Sequence, residues 1–274
     1  MARLKTQSSS KFVILLWGPA MSGKTVLASQ FPNPYFIDLD GQMGSVRALS
    51  NKYKMDFDFP VINIDSSPTE DEDFISLCGD RFAKMNAWKK TKKLVEKLSQ
   101  TLDENSTLVL DNLSRASEYL LDEIKERTGR QQLQIQDWGT FVDEMKILVD
   151  YLHTRYTKCN TIVIGHESTK KDELSGDLFK SLLMPTSLSD RMPSKVSDFL
   201  YMNVAVTGPK GKRVISRTLQ SVPDPKNSVG SRCLIPNLVN PTYAKMRPLI
   251  ETYIGRSLGE PTWTPPDEDL GEAN

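Results

Sequence analysis

Eight residues near the start of the chain have the types and the spacing of a phosphate-binding loop. Gly18 to Thr25 reads Gly-Pro-Ala-Met-Ser-Gly-Lys-Thr, which fits the pattern Gly-x-x-x-x-Gly-Lys-Thr. In such a loop the backbone N–H groups point at phosphate oxygens, the lysine reaches the β- and γ-phosphates, and the threonine hydroxyl binds Mg²⁺. Lys24 is therefore a candidate catalytic residue and Thr25 a candidate metal ligand. The predicted nucleotide-binding residues are Gly18, Pro19, Ala20, Met21, Ser22, Gly23, Lys24, Thr25 and Val26.

The flanking sequence has the order of elements that a phosphate-binding loop needs. The apolar run Phe12 to Trp17 predicts a buried strand before the loop, and Val26 to Phe31 can open a helix before Pro32 stops it. The N-terminus of that helix would face the anion. A bare match to the pattern could be a solvent-exposed turn, but the strand, loop and helix in sequence favour nucleotide binding.

Three further chemical side chains stand at the ends of predicted strands. Tyr35 to Asp40 and Leu108 to Asp111 each end in an aspartate, and Thr161 to Gly165 is followed by His166. Ligands bind at the carboxyl ends of strands in open α/β sheets, so we expect these side chains to meet the loop. Asp111 would hold Mg²⁺ through its water shell. The alternative for Asp111 is an ordinary helix cap, since Asp-Asn-Leu-Ser also suits a helix start.

The remaining patterns complete an alternation of strands and helices, which predicts an α/β fold with a mostly parallel, doubly wound sheet. Apolar spacing predicts helices at Phe82 to Leu102 and Leu113 to Arg127, and a helix capped by Asp137 with Phe141, Met145, Leu148 and Leu152 on its buried face. Ser168 to Met192 shows little strand pattern and is interpreted as a long loop. Further along the chain, the patterns predict a short strand at Val61 to Ile64, a β-hairpin from Leu200 to Val206 and Arg213 to Gln220, a helix within Pro241 to Arg256, and a loose Pro- and acid-rich tail from Leu258 to Asn274.

The predicted organisation has three parts: a flexible N-terminal tail (1–11), a nucleotide-binding core with the hairpin as its extension (12–235), and a C-terminal helix with its tail (236–274). The formal net charge is +0, so global charge gives no argument for nucleic acid and any such site must be a local patch. The longest apolar run, Phe12 to Trp17, is too short to cross a bilayer. No secretory signal and no cysteine framework are visible, so we expect a cytoplasmic protein without a membrane partner.

The order of these motifs resembles that of RecA-like P-loop ATPases. The loop, the Phe-Ile-Asp-Leu-Asp strand, the Leu-Val-Leu-Asp strand and the Ile-Val-Ile-Gly-His strand follow one another as in that family. More narrowly, the chain resembles the RecA-core ATP-binding proteins of phages, some of which anneal single strands. The resemblance implies that Asp40 activates the attacking water, although the family usually has glutamate there. Asp38 is the nearby alternative, but strand alternation points it to the opposite face. It implies that His166 senses the γ-phosphate, and that Ser168 to Pro185 contacts DNA. The alternative for His166 is a hydrogen-bonded histidine at a strand end.

A basic turn near the end of the core carries a second resemblance. Lys226-Asn227-Ser228-Val229-Gly230 is similar to the Lys-Asn-Arg-x-Gly segment of RadA-like proteins, in which basic residues reach a neighbouring subunit's nucleotide. Ser228 stands where that segment has arginine, so only Lys226 carries over as a catalytic residue. An exposed turn without a role is the alternative. A role in trans would require self-association as a ring or filament.

These observations predict an ATP-binding, Mg²⁺-dependent ATPase that acts on single-stranded DNA in recombination or annealing, in the host cytoplasm if the protein is phage-encoded. A single-strand-binding or replication protein is a possible partner. Two alternatives stay open: a P-loop kinase of a small molecule, and a non-hydrolysing nucleotide-binding module for assembly with a replication partner. P-loop kinases usually need an arginine-rich lid over the phosphates. The kinase is disfavoured because the basic residues of Ser168 to Arg191 are mostly lysine and are interrupted by acids.

Overall fold

The computed structural model describes residues 10–41, 43–55, 57–64, 82–153, 157–171, 176, 178–207 and 214–266. Most of the predicted N-terminal tail, the connection within the predicted β-hairpin and the last eight residues of the predicted C-terminal tail lie outside these ranges. Ser10 and Lys11 are described, and both are anchored: Arg256 Nε donates to the Ser10 carbonyl at 2.8 Å, and Lys11 Nζ donates to the Thr157 carbonyl at 2.5 Å.

A single mixed sheet runs through the described residues. Its strands are β1 (Val13–Gly18), β2 (Pro34–Asp38), β3 (Val61–Asn63), β4 (Thr107–Asp111), β5 (Asn160–Lys171), β6 (Leu178–Leu182), β7 (Asp198–Thr207), β8 (Val214–Gln220), β9 (Gly230–Ser231) and β10 (Leu238–Val239). Their spatial order is β10-β8-β7-β1-β5-β4-β2-β3, with β6 beside β5 and β9 beside β7. The strands from β3 to β7 in that order pair in parallel, and β7 with β8 forms the predicted antiparallel hairpin. The predicted fold class is confirmed.

Helices cover both faces of the sheet. They are α1 (Lys24–Ala28), α2 (Gly44–Tyr53), α3 (Ala87–Thr101), α4 (Leu113–Thr128), α5 (Ile135–His153), α6 (Thr186–Ser189), α7 (Met192–Lys195) and α8 (Tyr243–Ile254), with a 3₁₀ turn at Phe82–Lys84. Helices α3, α4 and α5 share one core cluster with Leu15 of β1, whereas α1 and α8 share a second cluster with Ile14. Successive side chains of a strand point to opposite faces, so β1 is buried on both sides. No helix in the described ranges is long and apolar enough to cross a membrane.

The longest helix, α5, has the predicted buried face but a different start. Phe141, Met145 and Leu148 are fully buried in the same core cluster. The prediction that Asp137 is the cap was wrong, because the helix begins two residues earlier, at Ile135. Asp137 instead lies in the first turn and accepts the N–H of Gln134 at 2.8 Å. This is the reverse contact of a capping box, in which an acid in the first turn reaches back to the residue before the helix.

The interpretation of Ser168 to Met192 as a long loop was wrong for its described first part, which forms two antiparallel strands. β5 continues past His166 to Lys171 and pairs with β6 from Glu167↔Leu182 to Lys171↔Leu178. This hairpin, which we call the β5–β6 hairpin, extends beyond the carboxyl edge of the parallel sheet. Most of its side chains are exposed or half-buried. Apart from Leu182, the residues of these outer strands have no buried face, so their sequence lacks the alternation of apolar residues that reveals core strands.

The C-terminal segment also differs from the expected loose tail as far as residue 266. Leu258 and Trp263 are buried, and Trp263 Nε1 donates to Ser29 Oγ at 3.0 Å. The Trp263 ring stacks on Phe57 with 4.9 Å between the ring centroids. The predicted helix before it is α8, capped by Thr242, whose side chain accepts the N–H of Lys245. The segment after α8 therefore packs beside α1, directly behind the phosphate-binding loop.

Candidate nucleotide-binding site

Glycine is required at both ends of the predicted loop. Gly18 has φ 152°, and a β-carbon there would lie 2.0 Å from the backbone oxygen of Met202 on β7. Gly23 has φ 94°, and a β-carbon there would lie 2.8 Å from Arg217 Nε. Side chains other than hydrogen strain such conformations. Between the two glycines, Met21 is left-handed with φ 62° and is 95% exposed at the tip of the loop.

Lys24 folds back across the loop and is almost completely buried. Its Nζ donates to the carbonyl oxygens of Gly18 at 3.0 Å and Pro19 at 2.6 Å, and to Ser22 Oγ at 3.3 Å. Burial lowers the pKa of Lys24 to about 8, while the negative charges of Asp111 and Glu167 oppose this shift. The ammonium group thus lies in the mouth of the loop, where carbonyl oxygens hold it in place.

The two predicted metal ligands are in direct contact. Thr25 Oγ1 donates to Asp111 Oδ2 at 2.6 Å. Burial raises the pKa of Asp111 to about 6, which the hydrogen bond from Thr25 opposes. The neighbouring residue Asn112, not Asp111, caps α4, because Asn112 Oδ1 accepts the N–H of Arg115 at 2.7 Å. This contact removes the capping alternative for Asp111 and leaves its carboxylate facing the loop.

Asp40 and His166 meet through a residue that the sequence did not single out. Asn112 Nδ2 donates to Asp40 Oδ2 and lies 3.0 Å from His166 Nε2. His166 Nε2 is 3.5 Å from Asp40 Oδ2, and Arg115 Nε is 4.0 Å from Asp40 Oδ1. Asp40 lies two residues beyond the end of β2, where Asp38 Oδ1 accepts its N–H at 3.2 Å. The other candidate acid, Asp38, therefore supports Asp40.

A cavity of about 560 Å³ brings these groups together. It is lined by Ala20, Met21, Ser22, Gly23, Lys24, Thr25, Val26, Asp40, Gly41, Gly44, Ser45, Asp111, Asn112, Ile164, His166 and Arg217. Thus most of the predicted loop and all three strand-end residues face one space. We call it the phosphate cavity. Asn112 and Arg217 were missed: Asn112 carried only the signal of a helix start, and Arg217 none.

Lys226 lies elsewhere. It is exposed in a turn where its N–H donates to Asp224 Oδ1 at 2.7 Å. Its surroundings form a separate groove, which also contains Thr169, Lys180 and Tyr201. Lys226 does not line the phosphate cavity of its own chain.

The comparison with protein families decides the wider class. The profile of the AAA domain matches residues 10–233, which span the loop, both acidic strand ends and His166. The chain belongs to the AAA domain family. It is a P-loop ATPase domain of RecA-like α/β fold.

Comparisons with individual proteins add little to this assignment. A search of curated proteins found no match. Among solved structures, the flagellar accessory protein FlaH from Methanocaldococcus jannaschii is 14% identical, with 83% of this chain and 84% of that chain covered and a TM-score of 0.37. A prototypical ATPase from the type III secretion system of pathogenic bacteria is 12% identical, with 70% and 52% covered and a TM-score of 0.41. Similarity this low carries no argument about function.

In this AAA domain the β5–β6 hairpin is tied directly to the site. The backbone N–H of His166 donates to Ser114 Oγ at 3.1 Å, and the His166 carbonyl accepts the N–H of Leu183 at 2.8 Å. In the next residue, Glu167, Oε2 accepts a hydrogen bond from Tyr201 Oη at 2.7 Å and lies 3.3 Å from Lys180 Nζ. His166 is therefore adjacent in the chain to Glu167, whose charged contacts hold the hairpin. A movement of His166 would be passed directly to these contacts.

Proposed function

We propose that this chain is a Mg²⁺-dependent ATPase that acts on single-stranded DNA in recombination or strand annealing, with the phage RecA-core proteins as the nearest functional type. The hydrogen bond of 2.6 Å between Thr25 Oγ1 and Asp111 Oδ2 carries the ATPase half. It joins the end of the phosphate-binding loop to the acidic end of β4, as a shared metal site requires.

The residues present fit Mg²⁺. The magnesium ion is usually held by one or two protein oxygens together with phosphate oxygens and water, and it needs no cluster of protein ligands. The Thr25 hydroxyl and the Asp111 carboxylate provide such a pair. No group of three or more His, Cys, Asp or Glu suited to a metal occurs in the described residues. When bound, Mg²⁺ would neutralise charge on the β- and γ-phosphate oxygens.

The other side chains of the phosphate cavity have roles that suit hydrolysis. Lys24 would exchange its carbonyl partners for the β- and γ-phosphates. Asp40 would orient the attacking water, and its carboxylate is held for this by Asn112. The contacts of Asp40 favour hydrolysis over the non-hydrolysing alternative, because they hold the shorter acid toward the cavity. His166 would respond to the γ-phosphate and pass the change to the hairpin.

The DNA half of the proposal is supported by the chemistry of the β5–β6 hairpin. It carries Lys170 and Lys171 on its first strand, and Leu178 at its outer end is 61% exposed. Lysines can neutralise phosphates, and an exposed apolar side chain can contact unstacked bases. The hairpin begins at the γ-phosphate side of the cavity, so nucleotide state could alter DNA affinity. A single-strand-binding or replication protein remains a proposed partner, and the host cytoplasm the proposed location.

Self-association as a ring or filament is supported by exposed apolar side chains. Met21 is 95% exposed, and the facing pair Val206 and Ile215 near the end of the β7–β8 hairpin is 56% and 58% exposed. A neighbouring copy would cover these apolar side chains. Lys226, which does not line its own phosphate cavity, would then be available to a neighbour's nucleotide.

The test is phosphate release with Mg²⁺ and ATP, with and without a single-stranded oligonucleotide. We expect slow turnover that the oligonucleotide stimulates, and no turnover by Lys24→Ala. Stimulation by a nucleoside in place of DNA would identify a kinase instead. Tight ATP binding without phosphate release in any condition would identify an assembly module. Anisotropy of a labelled oligonucleotide at low salt tests the DNA half separately, and no binding with or without ATP would refute it.

A further inference from the structure

We propose that Arg217 is a nucleotide-binding residue whose guanidinium contacts the α-phosphate of the bound nucleotide, with the base in a second cavity behind the loop. This inference rests on the proposed nucleotide binding. It concerns a residue on β8, far from the loop in sequence and outside every motif that the sequence revealed.

Strand register directs Arg217 toward the phosphate-binding loop. Leu219 and its partner Met202 are buried in the same core cluster as α1, so that face of the β7–β8 hairpin is the face of the loop. Arg217 stands two residues before Leu219 and therefore points to the same side. Its Nε and Cδ would lie 2.8 and 2.9 Å from a β-carbon at Gly23. Because Gly23 has none, the arginine side chain can lie directly against the loop backbone.

The backbone of Arg217 is held in place, while its guanidinium is available. The Arg217 N–H donates to Asn240 Oδ1 at 3.0 Å, and its carbonyl accepts the Asn240 N–H at 2.6 Å. Within the described part of the chain, no hydrogen bond or ion pair engages the Arg217 guanidinium, and the side chain is exposed. Guanidinium donors match phosphate oxygens in geometry and charge.

Two cavities meet at this arginine. A cavity of about 290 Å³ lies beside the phosphate cavity and is lined by Gly23, Val26, Leu27, Gln30, Leu49, Lys52, Tyr53, Met202, Arg217, Asn240, Pro241, Trp263 and Pro265. The two cavities share Gly23, Val26 and Arg217. A nucleotide whose β- and γ-phosphates lie in the loop must place its α-phosphate and sugar beside this shared boundary.

The second cavity has the chemistry of a base-binding pocket. Leu27, Tyr53 and Trp263 provide apolar and aromatic surface, and the amide NH2 group of Asn240 provides hydrogen-bond donors. Both ends of the Gln30 amide are engaged within the chain, by the Tyr243 N–H and the Val26 carbonyl. A flat aromatic base is suited to such a space, since aromatic surface binds its faces and amides its edges. With the phosphates on one side of Arg217 and the base on the other, the guanidinium faces the α-phosphate.

The experiment measures Kd for ATP and ADP, with Mg²⁺, by calorimetry on the full-length chain. Both nucleotides have an α-phosphate, so we expect Arg217→Ala to weaken both by a similar factor of about tenfold or more. Arg217→Lys keeps the charge and should recover part of the loss, because lysine lacks the fork of donors. Ser216→Ala, at the next position of the same strand and on its opposite face, is the matched control and should bind within about twofold of the unmodified chain. Arg191→Ala controls for the loss of one positive charge.

Three outcomes would overturn the inference. If Arg217→Ala binds both nucleotides as tightly as the unmodified chain, Arg217 does not touch the nucleotide although the proposed ATP site stands. If Ser216→Ala shows the same loss, the effect belongs to the packing of the strand. If the unmodified chain itself binds neither nucleotide, the proposed function fails and this inference fails with it. Melting curves of each variant exclude unfolding as the cause.

Discussion

At the scale of residues, Lys24 and Asp111 are two buried ionisable groups with shifted pKa values. Burial penalises the charged form of each, so the pKa of Lys24 is lowered to about 8 and that of Asp111 is raised to about 6. The site therefore costs stability when these groups are charged and unliganded. A phosphate anion beside Lys24 and a cation beside Asp111 would offset this cost, so the same burial that weakens the fold favours binding.

Asp111→Asn is expected to stabilise the unliganded protein at pH 7.5. The folded pKa of about 6 lies above the ordinary value of 3.8, so the stability that protonated Asp111 provides below pH 3.8 is lost as pH rises through 6. Removing the charge should raise the free energy of unfolding by about 3 kcal/mol at pH 7.5 and change it little at pH 4. Urea unfolding at both pH values measures this. The exposed Asp122→Asn on α4 is the control, and equal or lower stability of Asp111→Asn at pH 7.5 would contradict the expectation.

Asp40→Asn separates water activation from nucleotide binding. The amide keeps the size of the side chain beside Asn112 and His166 but cannot accept a proton from water. If Asp40 has the proposed role, phosphate release should fall by about 10² or more, as for the loss of a general base. The Kd for ATP should change by less than about threefold. Turnover at an undiminished rate would show that another group orients the water.

At the scale of elements, the central feature is the placement of β5 between the loop strand β1 and the metal-site strand β4. This order places His166 between the loop and Asp111, and it lets β5 continue outward as the β5–β6 hairpin. Gly165 permits the close approach at the exit, because a β-carbon there would lie 2.3 Å from Leu182 Cδ1. One strand thus joins the nucleotide site to the surface that we propose contacts DNA.

We expect position 18, where the end of β1 lies against the backbone of β7, to tolerate no side chain. Gly18→Ala would place a β-carbon against the rigid backbone oxygen of Met202 and force a φ of 152° on alanine. We expect the free energy of unfolding to fall by about 2–4 kcal/mol, since backbone strain and overpacking each cost about 1–3 kcal/mol.

Gly139→Ala is the matched control for this substitution. Gly139 lies exposed inside α5 with nothing near its β-carbon position. Alanine should stabilise that helix by about 0.8–1 kcal/mol. Chemical denaturation of both variants gives the comparison. Equal effects in the two variants would mean that the β1–β7 approach does not constrain residue 18.

At the scale of the whole molecule, the formal net charge is +0, so the net charge provides no attraction to nucleic acid. Binding to DNA would depend on local lysines and on the number of copies that act together. Self-association would multiply weak contacts along one strand. It would also bring one chain's basic turn to another chain's nucleotide.

Lys226→Ala is expected to leave ATP binding within about twofold and to reduce phosphate release by 10-fold or more, if Lys226 stabilises charge on a neighbour's phosphates. The effect should appear only at protein concentrations where light scattering shows assemblies. The exposed Lys158→Ala provides the control for charge. A variant that forms assemblies and hydrolyses ATP at the unmodified rate would show that the turn has no catalytic role.

The parts of the site that the sequence alone predicted are formed by residues close together in the chain. The loop spans eight residues, and Asp40, Asp111 and His166 each follow a short apolar strand whose type the sequence makes plain. Their convergence followed from parallel strands, whose carboxyl ends share one edge. Phe141, Met145 and Leu148 were likewise found by helical spacing, because a buried face repeats along the chain.

Only the tertiary structure decided which side chains meet at this edge. Asn112 reaches Asp40 across 72 positions and His166 across 54, and Trp263 reaches Ser29 across 234. No local spacing encodes such contacts, since they depend on strand order and register. Arg217 comes to Gly23 for the same reason. The sequence by itself determined the loop and the acidic strand ends, because their conformations are local. The partners of these groups, the hairpin beyond the sheet edge and the second cavity depend on packing between distant segments.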